Sequence, residues 1–459
     1  MTWGITSSNW KQGSFLMCTR YLKSFLFFLF VFLLCVLHGG EFRIAATADL
    51  HGNLRNLSLL AYQIRREAPD LLLDAGDLTG GNLLAELDGG RSMIEALNLL
   101  KYDFMVPGNH DFDLPQRDLA RRCRDFKGVT LGGDWRWGDV GGVPRRIVTK
   151  GNFRVGIIGL TEPNISRRHL PLAEAPSFKH WKKVLEAQLE ALKKEQVHFT
   201  VLLWHNGVGK GNFSAKALLK GITGIDLVIG AHTHEEHSGF RSGKSYMVQP
   251  GAHGTSAALV TLQYNDRTFA IEKVESTLLR GVPGKGDPAI DLLSKRAVKP
   301  YYPAIYRPIC RRGDLSARNL PRLGAAALRH AGKTQGALFS ANIPHGKSAH
   351  YRQYRDLFRL MPYWTTLCTV TVTRSELKAL LEDLQRNAPK FKKIIGFSGF
   401  SWHRGVLKAP PRITLTVSSY MMVSSPVLRR ILHEKVPRWR HTGIVEREAV
   451  VSFLSSTLR

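Results

Sequence analysis

The sequence has few cysteines for its length, 5 in 459 residues. The three outside the N-terminal apolar segment, Cys123, Cys310 and Cys368, are widely spaced. This excludes the disulfide framework that staples small secreted domains. The sequence still allows one disulfide, and Cys310 with Cys368 is the one pairing inside a single proposed domain. The length predicts two or three domains with hydrophobic cores of their own.

Acidic residues are also scarce: 37 Asp and Glu stand against 65 Lys and Arg, which gives a formal net charge of +28 at pH 7. Such a charge attracts anions, among them phosphorylated substrates, nucleic acids and acidic lipid headgroups. The basic residues are dispersed, without a long Lys or Arg run or a nucleic-acid-binding motif. This pattern favours a solvated basic surface, so we expect no nucleic-acid partner.

Long apolar segments are absent apart from one, which spans residues 21–37 and is uninterrupted from Phe25 onward. Basic residues precede it and His38-Gly39-Gly40 follow it, and it is shorter than the roughly 20 residues of a membrane span. These features are typical of a secretory signal. We predict a signal peptide over residues 1–40, cleaved near Gly40, and export to the periplasm or the exterior. An uncleaved N-terminal anchor, the one membrane contact we consider, and a true start at Met17 stay open.

From Phe42 onward, short apolar runs alternate with helical patterns, as they do in α/β domains. Strands are predicted at Phe42–Thr47, Leu71–Asp74, Asp103–Val106, Arg154–Leu160, Phe199–Trp204, Leu227–Ala231, Tyr246–Val248, Ala257–Gln263 and Thr268–Val274. Between Phe178 and Glu195 the apolar residues recur on one face, which predicts an amphipathic helix.

A segment rich in proline and glycine, residues 283–288, interrupts this periodicity. We interpret residues 41–275 as a first domain, 276–310 as a linker with a short helix around Ile290–Val298, and 311–459 as a second, smaller α/β domain. In the second domain, helices are predicted at Leu320–Ala331, Tyr351–Leu360 and Arg374–Arg386, and strands at Thr366–Val372 and Ile413–Val417.

Polar clusters follow the carboxyl ends of five predicted strands in the first domain. They are Asp49-Leu50-His51, Gly76-Asp77, Gly108-Asn109-His110-Asp111, His205-Asn206 and Gly230-Ala231-His232-Thr233-His234. Loops converge at this edge of an α/β sheet, and ligands bind there. A single Asp-x-His motif is more often a turn with a capped helix than a metal site. Five clusters in this order predict a site for two metal ions.

The five clusters together resemble the calcineurin-like metallophosphoesterases, and the downstream region extends the likeness to the bacterial 5′-nucleotidase/UDP-sugar hydrolase family. The resemblance implies a four-layer αββα sandwich of mixed sheets, followed by a smaller α/β 5′-nucleotidase-like C-terminal domain. It places the active site in the cleft between the two, with a linker that permits hinge motion. The likeness is strong over the first domain and faint over the second.

The resemblance also implies a ligand set for two divalent ions that clamp phosphate oxygens and activate a water for in-line attack. The ligands are Asp49, His51 and His234 for one ion, Asn109, His205 and His232 for the other, and Asp77 as the bridge. Mixed imidazole and oxygen donors suit Zn, Mn or Fe. The absence of cysteine ligands disfavours a structural zinc site.

His110 is the one histidine of these clusters that is not a metal ligand in the family pattern. In the family it forms a dyad with the acid three residues on, here Asp113. The acid would favour the charged imidazole, which could then stabilise the transferring phosphoryl group and protonate the leaving oxygen. We expect Asp111 to cap the following helix. The other polar neighbours, expected to be turn or supporting residues, are Asn53, Asp74 and Asn206.

The second domain departs from the family at its substrate-binding motifs. The family's glycine-rich stretch ending in arginine reads Ala341-Asn342-Ile343-Pro344-His345-Gly346 here, and its later Gly-Gly-Asp-Gly stretch is absent after Tyr420. Tyr363 matches an aromatic residue that stacks on the base in related enzymes. Arg322 matches a family arginine whose fork suits phosphate oxygens. Tyr363 is equally consistent with a core aromatic, and Arg322 with a solvated helix face.

These patterns predict an exported dimetal phosphohydrolase that cleaves phosphomonoesters of small molecules, nucleotides above all. The same metal centre would serve cleavage of phosphodiesters or pyrophosphates in cyclic nucleotides or UDP-sugars, so that alternative stays open. A remoter one is action on a sulfur carrier, as in thiosulfohydrolases that share the ligand pattern. The altered second domain and the positive charge also leave open a non-catalytic binding protein on the same scaffold.

Overall fold

The computed structural model describes residues 39–165, 175–310, 315–316, 319–342, 352–387, 393–403 and 405–457. The predicted signal segment up to His38 lies outside these residues, so its cleavage stays a prediction. Within the described ranges, no helix combines the length and the apolar character needed to cross a bilayer.

The chain divides into two compact units. Of the described residues, the smaller comprises Gly39–Phe42 together with Thr261–Glu275. In it, the Asn265 side chain accepts hydrogen bonds from the backbone N–H groups of Arg267 and Thr268, which stabilises the turn between two strands. The larger comprises Arg43–Val260 and Ser276–Arg459. It contains all five polar clusters and the whole predicted second domain.

The strands are numbered in chain order. They are β1 (Gly39–Thr47), β2 (Leu71–Asp74), β3 (Phe104–Met105), β4 (Val129–Thr130), β5 (Trp135–Trp137), β6 (Val140–Gly141), β7 (Arg145–Lys150), β8 (Phe153–Leu160), β9 (Ser177–Phe178), β10 (Phe199–Trp204), β11 (Leu227–Ile229), β12 (His237–Ser242), β13 (Ser245–Gln249), β14 (Ala257–Asn265), β15 (Ile271–Leu279), β16 (Gly336–Asn342), β17 (Thr366–Thr373), β18 (Lys393–Ser398), β19 (Ser401–His403), β20 (Val406–Lys408), β21 (Arg412–Ser418) and β22 (Trp439–Val445).

The α-helices of the described residues are numbered likewise. They are α1 (Leu54–Glu67), α2 (Leu83–Leu87), α3 (Arg91–Leu100), α4 (Gln116–Asp125), α5 (Trp181–Lys194), α6 (Ala215–Leu218), α7 (Pro288–Val298), α8 (Tyr302–Ile305), α9 (Leu320–Gly332), α10 (Tyr354–Leu360), α11 (Arg374–Asn387), α12 (Ser419–Ser424), α13 (Pro426–Leu432) and α14 (Glu446–Thr457). Short 3-10 turns cover Asn109–Phe112, Ala252–Gly254 and Lys299–Tyr301.

The first sheet has the strand order β15-β14-β1-β2-β3-β4, and β1 to β4 run parallel. β2 is buried along its whole length, as its three successive leucines predict for a strand covered on both faces. Apolar residues of α1, α3 and α7 form one core cluster with this sheet. α7 is the helix that the sequence assigns to the linker, and it packs into the core of the first domain through Ile290 and Leu293.

The second sheet has the order β12-β13-β11-β10-β8-β7, with four parallel central strands and antiparallel edges. Helices α5 and α6 pack on it. The two sheets come together where Gly159 of β8 lies against Val106 and Leu131. These mixed sheets and their helices confirm the predicted α/β class.

One helix boundary was predicted wrongly. Phe178 does not begin the amphipathic helix but pairs with Trp135 in a small three-stranded sheet. The helix α5 starts at Trp181 because the His180 side chain accepts a hydrogen bond from the Lys182 N–H and caps it.

The C-terminal sheet has the order β18-β16-β21-β17-β22. Its two faces bury separate apolar clusters, since successive residues of a strand point to opposite faces. Cys368 lies in one cluster, whereas Cys310 packs against the other. No disulfide joins cysteines within the described ranges. The disulfide that the sequence allowed between Cys310 and Cys368 is therefore not formed, because the sheet separates the two side chains.

Candidate metal centre

The predicted ligands occupy the loops at the carboxyl ends of five strands. The first sheet supplies Asp49 and His51 after β1, Asp77 after β2 and Asn109 after β3. The second sheet supplies His205 after β10, and His232 and His234 after β11. Parallel strands end at one edge of their sheet, so each sheet contributes one row of side chains to a common region.

Backbone strain is concentrated in these loops. Positive φ angles, which non-glycine residues rarely adopt, occur at five predicted ligands: Asp49 (50°), His51 (45°), Asp77 (55°), His232 (74°) and His234 (58°). Such conformations typically cost about 1–3 kcal/mol each and persist where the surroundings enforce them. Here, N–H groups of the first loop bond to carbonyls of the second, from Asp49 to Gly76 at 2.8 Å and from His51 to Asp77 at 2.9 Å.

Two glycines allow the loops to approach closely. A Cβ atom on Gly108 would lie 2.2 Å from Asp77 Oδ1, and one on Gly76 would lie 2.6 Å from the Gly108 nitrogen. Only a residue without a side chain fits at either position. The pair therefore brings Asp77 next to the loop that carries Asn109.

The first ligand group comprises Asp49, His51 and His234, whose candidate ligand atoms all lie within 4.8 Å of one another. The His51 Nδ1–H donates to the Gly80 carbonyl at 3.1 Å, which leaves Nε2 with the lone pair. That Nε2 lies 3.1 Å from Nε2 of His234. Burial lowers the pKa of His51 to about 4 and also lowers the pKa of His234, so both rings are neutral and able to bind a cation.

The second ligand group comprises Asp77, His205 and His232, again with ligand atoms within 4.8 Å. The His205 Nδ1–H donates to the Ala75 carbonyl at 2.8 Å, and Nε2 lies 3.3 Å from Asp77 Oδ2. Burial alone would lower the pKa of His205, but the Asp77 and Asp49 carboxylates raise it to about 10. The site therefore favours a positive charge at this position.

Asp77 connects the two groups. Its Oδ2 lies 3.3 Å from Nε2 of His205 in the second group and 3.9 Å from Nε2 of His51 in the first. Burial alone would raise the pKa of Asp77, but His205 and His110 hold it well below its usual range. Asp77 is thus a charged carboxylate that faces one histidine of each ligand group.

The donor atoms fit a pair of divalent ions. Within the described residues, Nε2 of His205 and Oδ1 of Asn109 are buried and have no hydrogen-bond partner. An unpartnered buried polar atom costs about 1–3 kcal/mol, and a bound cation would remove that cost. Buried imidazole and oxygen donors without cysteine suit Zn, Mn or Fe. Imidazoles and carboxylates around such ions can position a phosphate and a water for hydrolysis.

His110 and Asp113 form the predicted dyad. The His110 Nδ1 lies 2.6 Å from Asp113 Oδ2, so the ring donates to the carboxylate and Nε2 is left for proton exchange with a substrate. Burial opposes a charged imidazole, but Asp113 and Asp77 raise the pKa of His110 to about 9. The backbone N–H of His110 also donates to Asp77 at 2.8 Å. His110 is therefore protonated at neutral pH and fixed beside the second ligand group.

The sequence predicted that Asp111 caps the following helix α4, and this prediction was wrong. Asp111 accepts the N–H groups of Gly108, Leu78 and Thr79 and the Thr79 hydroxyl, and thereby joins two ligand loops. The sequence could not reveal this because the partners in the second loop are remote along the chain. The turn and supporting roles expected of three other residues are found: Asn53 caps α1, Asp74 binds Thr47, and Asn206 binds the Phe213 carbonyl.

The two predicted substrate residues have different surroundings in the structure. Tyr363 stacks on His110 with ring centroids 4.7 Å apart and planes 11° apart, so it lies at the candidate site rather than in the core. Arg322 is exposed on α9, and no hydrogen bond or ion pair of the described residues joins it to either ligand group. Its substrate role stays a prediction. The altered stretch at residues 343–346 lies outside the described residues.

His253 is a site residue that sequence reasoning missed. Its ring centroid lies 5.0 Å from that of His51 and 5.3 Å from that of His234, and its backbone N–H donates to the Asp49 carbonyl. Its φ of 55° is positive like those of the ligands. A lone histidine after β13 carries no metal-ligand spacing, so the signal appears only when the chain is folded.

Comparisons with known proteins match the same part of the chain. Residues 42–236 match the calcineurin-like phosphoesterase family, and this span contains both ligand groups. The 5′-nucleotidase of Rattus norvegicus is 29% identical over 196 residues, which are 40% of this chain and 32% of that protein. The match thus spans about a third of that relative's length.

Solved structures show the same fold over most of the chain. A putative 5′-nucleotidase from Staphylococcus aureus, solved in complex with alpha-ketoglutarate, superposes with a TM-score of 0.73 at 18% identity, covering 91% of this chain and 97% of that one. The 5′-nucleotidase precursor from Thermus thermophilus gives 0.68 at 18% identity with the same coverages. The chain therefore contains a calcineurin-like phosphoesterase domain, has 5′-nucleotidases among its homologues and structural neighbours, and is consistent with the 5′-nucleotidase family.

Proposed function

We propose that the protein is a dimetal phosphohydrolase that cleaves phosphomonoesters, with nucleoside 5′-monophosphates as the leading substrate class. The observation that carries the proposal is the junction at Asp77. One buried carboxylate faces both ligand groups. Beside it, Oδ1 of Asn109 is buried without a hydrogen-bond partner among the described residues, and Nε2 of His205 has the Asp77 carboxylate at 3.3 Å but no hydrogen bond. A purely structural cluster would satisfy those atoms internally.

Two divalent ions at this site would supply charge stabilisation to the phosphoryl oxygens and lower the pKa of a bound water. The first ion would be held by Asp49, His51, His234 and Asp77. The second would be held by Asp77, Asn109, His205 and His232. The Nδ1–H bonds of His51 and His205 to backbone carbonyls fix the tautomer in which Nε2 is the ligand atom.

The chain's own residues then perform the proton transfer. Asp113 orients His110 and keeps its imidazole charged, so that Nε2–H can be donated to the leaving oxygen as the ester bond breaks. A nucleoside alkoxide is a poor leaving group without that proton. The Tyr363 ring covers one face of the imidazole and restricts its rotation.

Support for nucleotides comes from the relatives, which are named 5′-nucleotidases, and from Tyr363 at the site, where an exposed aromatic can stack on a base. The positive net charge favours capture of anionic substrates. Export rests on the predicted signal segment, and an N-terminus near Glu41 in the purified mature protein would support it.

The experiment is a substrate panel with the metal-depleted full chain. Phosphate release is measured from AMP, UMP, a cyclic nucleotide and UDP-glucose with Mn, Zn, Fe and Mg supplied in turn. We expect metal-dependent release from a 5′-monophosphate. Products only from the cyclic nucleotide or the UDP-sugar would replace monoester cleavage by the diester or pyrophosphate alternative.

The matched variants are His205→Ala in the centre and His433→Ala, an exposed histidine on the C-terminal domain. Loss of activity in the first and retention in the second would tie the reaction to the centre. Two bound metals with no release from any substrate would instead favour the binding-protein alternative.

A further inference from the structure

Arg447, in the last helix α14, is the most completely bonded buried cation of the described residues. Only 1% of the residue is exposed. Its two terminal nitrogens donate to the two carboxylate oxygens of Glu86, at 2.5 Å and 3.0 Å. Glu86 lies in α2 of the first domain, so this bidentate pair joins the two domains through groups that are largely shielded from water.

The rest of the guanidinium holds the loop that carries Tyr363. Nε donates to the Met361 carbonyl at 2.9 Å and Nη2 to the Tyr363 carbonyl at 3.2 Å. The Tyr354 hydroxyl is a further partner at 3.1 Å, and the Phe358 ring lies 4.5 Å beneath the guanidinium carbon. One side chain thus fixes the backbone on both sides of Pro362.

That loop contacts the candidate site through the side chain of Tyr363. The Tyr363 ring stacks on His110. The Tyr363 carbonyl, held by Arg447, belongs to the same residue as this ring, so a displacement of the carbonyl moves the ring. A continuous series of contacts therefore runs from Glu86 through Arg447 and Tyr363 to His110.

We propose that Arg447 is a positioning residue that acts on His110 through Tyr363. Anchored by Glu86, it holds the tyrosine ring flat on the imidazole and so restricts the direction in which His110 presents Nε2–H. The inference rests on the proposed function, because it concerns the orientation of the proposed proton donor. It adds a residue of the C-terminal domain, outside the matched span 42–236, to the catalytic arrangement.

Lysine cannot reproduce this role. A guanidinium offers five N–H donors in a fixed plane, and Arg447 directs them at a carboxylate, two carbonyls and a hydroxyl. An ammonium has three donors around one point and cannot bridge Glu86 and both carbonyls. Arg447→Lys keeps the charge beside Glu86 and releases the loop, which makes it the informative substitution.

The test is a double-mutant cycle on the metal-loaded protein with Arg447→Lys and Tyr363→Ala, singly and together. We expect each single variant to lower kcat about tenfold with a smaller change in KM, and the double variant to be no slower than Tyr363→Ala alone. Arg438→Lys, which alters another multiply bonded arginine of the C-terminal domain, should leave kcat unchanged.

A second readout does not depend on turnover. Modification of His110 by diethyl pyrocarbonate, followed by peptide mass spectrometry, reports how well the ring is covered. We expect faster modification in Arg447→Lys and in Tyr363→Ala, with no further gain in the double variant. If the parent protein releases no phosphate from any substrate, the proposed function fails, and this readout still decides the positioning role.

Two results would overturn the proposal. One is a double variant in which the kcat losses multiply to about a hundredfold, since this would place Arg447 and Tyr363 on separate routes. The other is parental kcat and parental His110 modification in Arg447→Lys. Circular dichroism and the thermal midpoint of each variant check that the fold is intact. Glu86→Gln, which keeps one acceptor oxygen for Arg447 and removes the other, replaces Arg447→Lys if that variant does not fold.

Discussion

Nε2 of His205 lies 3.3 Å from Oδ2 of Asp77, although His205 follows a strand of the second sheet and Asp77 follows a strand of the first. This contact is one of those that join the two sheets, and it lies in the candidate centre. The buried Asp77 carboxylate attracts a positive charge there, which is either a proton on His205 or a bound cation. The candidate centre is therefore a product of sheet packing and not of either sheet alone.

Asp77→Asn removes the charge that both ligand groups share. We expect the bound metal to fall from two ions per chain to one or none, and activity to fall about a hundredfold or more, because metal clamping supplies several kcal/mol to the transition state. Elemental analysis of the purified variant and phosphate release measure the two effects. The exposed His433→Ala should match the parent in both, and full metal content in Asp77→Asn would contradict a bridging role.

His110→Gln removes the proposed proton donor but none of the proposed ligands. We expect kcat to fall by about 10²–10⁴, the usual contribution of general acid catalysis, while two metals stay bound. Asp113→Asn should give a smaller loss, since the ring keeps a hydrogen-bond partner at Nδ1 but loses the charge that favours imidazolium. A substrate with a good leaving group, such as p-nitrophenyl phosphate, should be affected less by either change. Equal losses on both substrates would argue against proton donation.

Gly108→Ala tests the close approach of two ligand loops. The new Cβ would lie 2.2 Å from Asp77 Oδ1 and 2.5 Å from the Asp77 nitrogen, so the loops must separate. We expect loss of metal affinity of about tenfold or more, measured by titration of the metal-depleted protein. Gly141→Ala is the matched control, because its Cβ would find its nearest neighbour at an ordinary 3.5 Å.

His253→Ala removes an imidazole at the edge of the first ligand group. Its ring centroid lies 5.0 Å from that of His51 and 5.3 Å from that of His234, so we expect it to contact an oxygen of a substrate bound at this group. We expect kcat/KM to fall about tenfold, equivalent to one hydrogen bond of roughly 1.4 kcal/mol, with metal content unchanged. An unchanged kcat/KM would show that His253 does not contribute to the reaction. Loss of a metal ion would show that His253 is a metal ligand.

Glu376 gives a pH dependence far from the metal centre. Hydrogen bonds from Arg438 hold its pKa at about 2, below the ordinary value of 4.5. A depressed carboxyl pKa stabilises the fold above the unfolded-state value, and this stabilisation is lost as the pH falls from about 4.5 to about 2. We expect the free energy of unfolding of Arg438→Gln to change less with pH over this range than that of the parent protein. Urea unfolding at pH 6, 4 and 3 measures this free energy. The same pH dependence in parent and variant would refute a contribution from the Glu376–Arg438 pair.

Much of the site could be predicted from the sequence because the proposed ligands directly follow the ends of strands. The strands Leu71–Asp74 and Phe199–Trp204 were predicted with the bounds the structure shows, since an uninterrupted apolar run bounded by polar turn residues has few alternatives. Where the strands end, the polar residues must lie at the sheet edge. The arrangement of two ligand groups follows from that placement, together with the family likeness.

What the sequence could not supply were contacts between residues far apart in the chain. Asp111 was assigned to a helix cap because local partners are the ones a sequence reveals, whereas its actual partners lie in the loop after β2. A disulfide between Cys310 and Cys368 was left open by the sequence, whereas the sheet places the two side chains in different clusters. His253 and Arg447 carried no motif at all.

The sequence by itself determined the α/β class, the strand ends and the chemical types of the metal donors, because periodicity and residue type are local properties. Tertiary structure alone decided that Asp77 faces both ligand groups, that Tyr363 lies on His110 and that Glu86 receives Arg447. Each of these depends on two separately formed elements meeting at a fixed distance and angle. Close packing of sheets and domains sets that geometry, and no single segment encodes it.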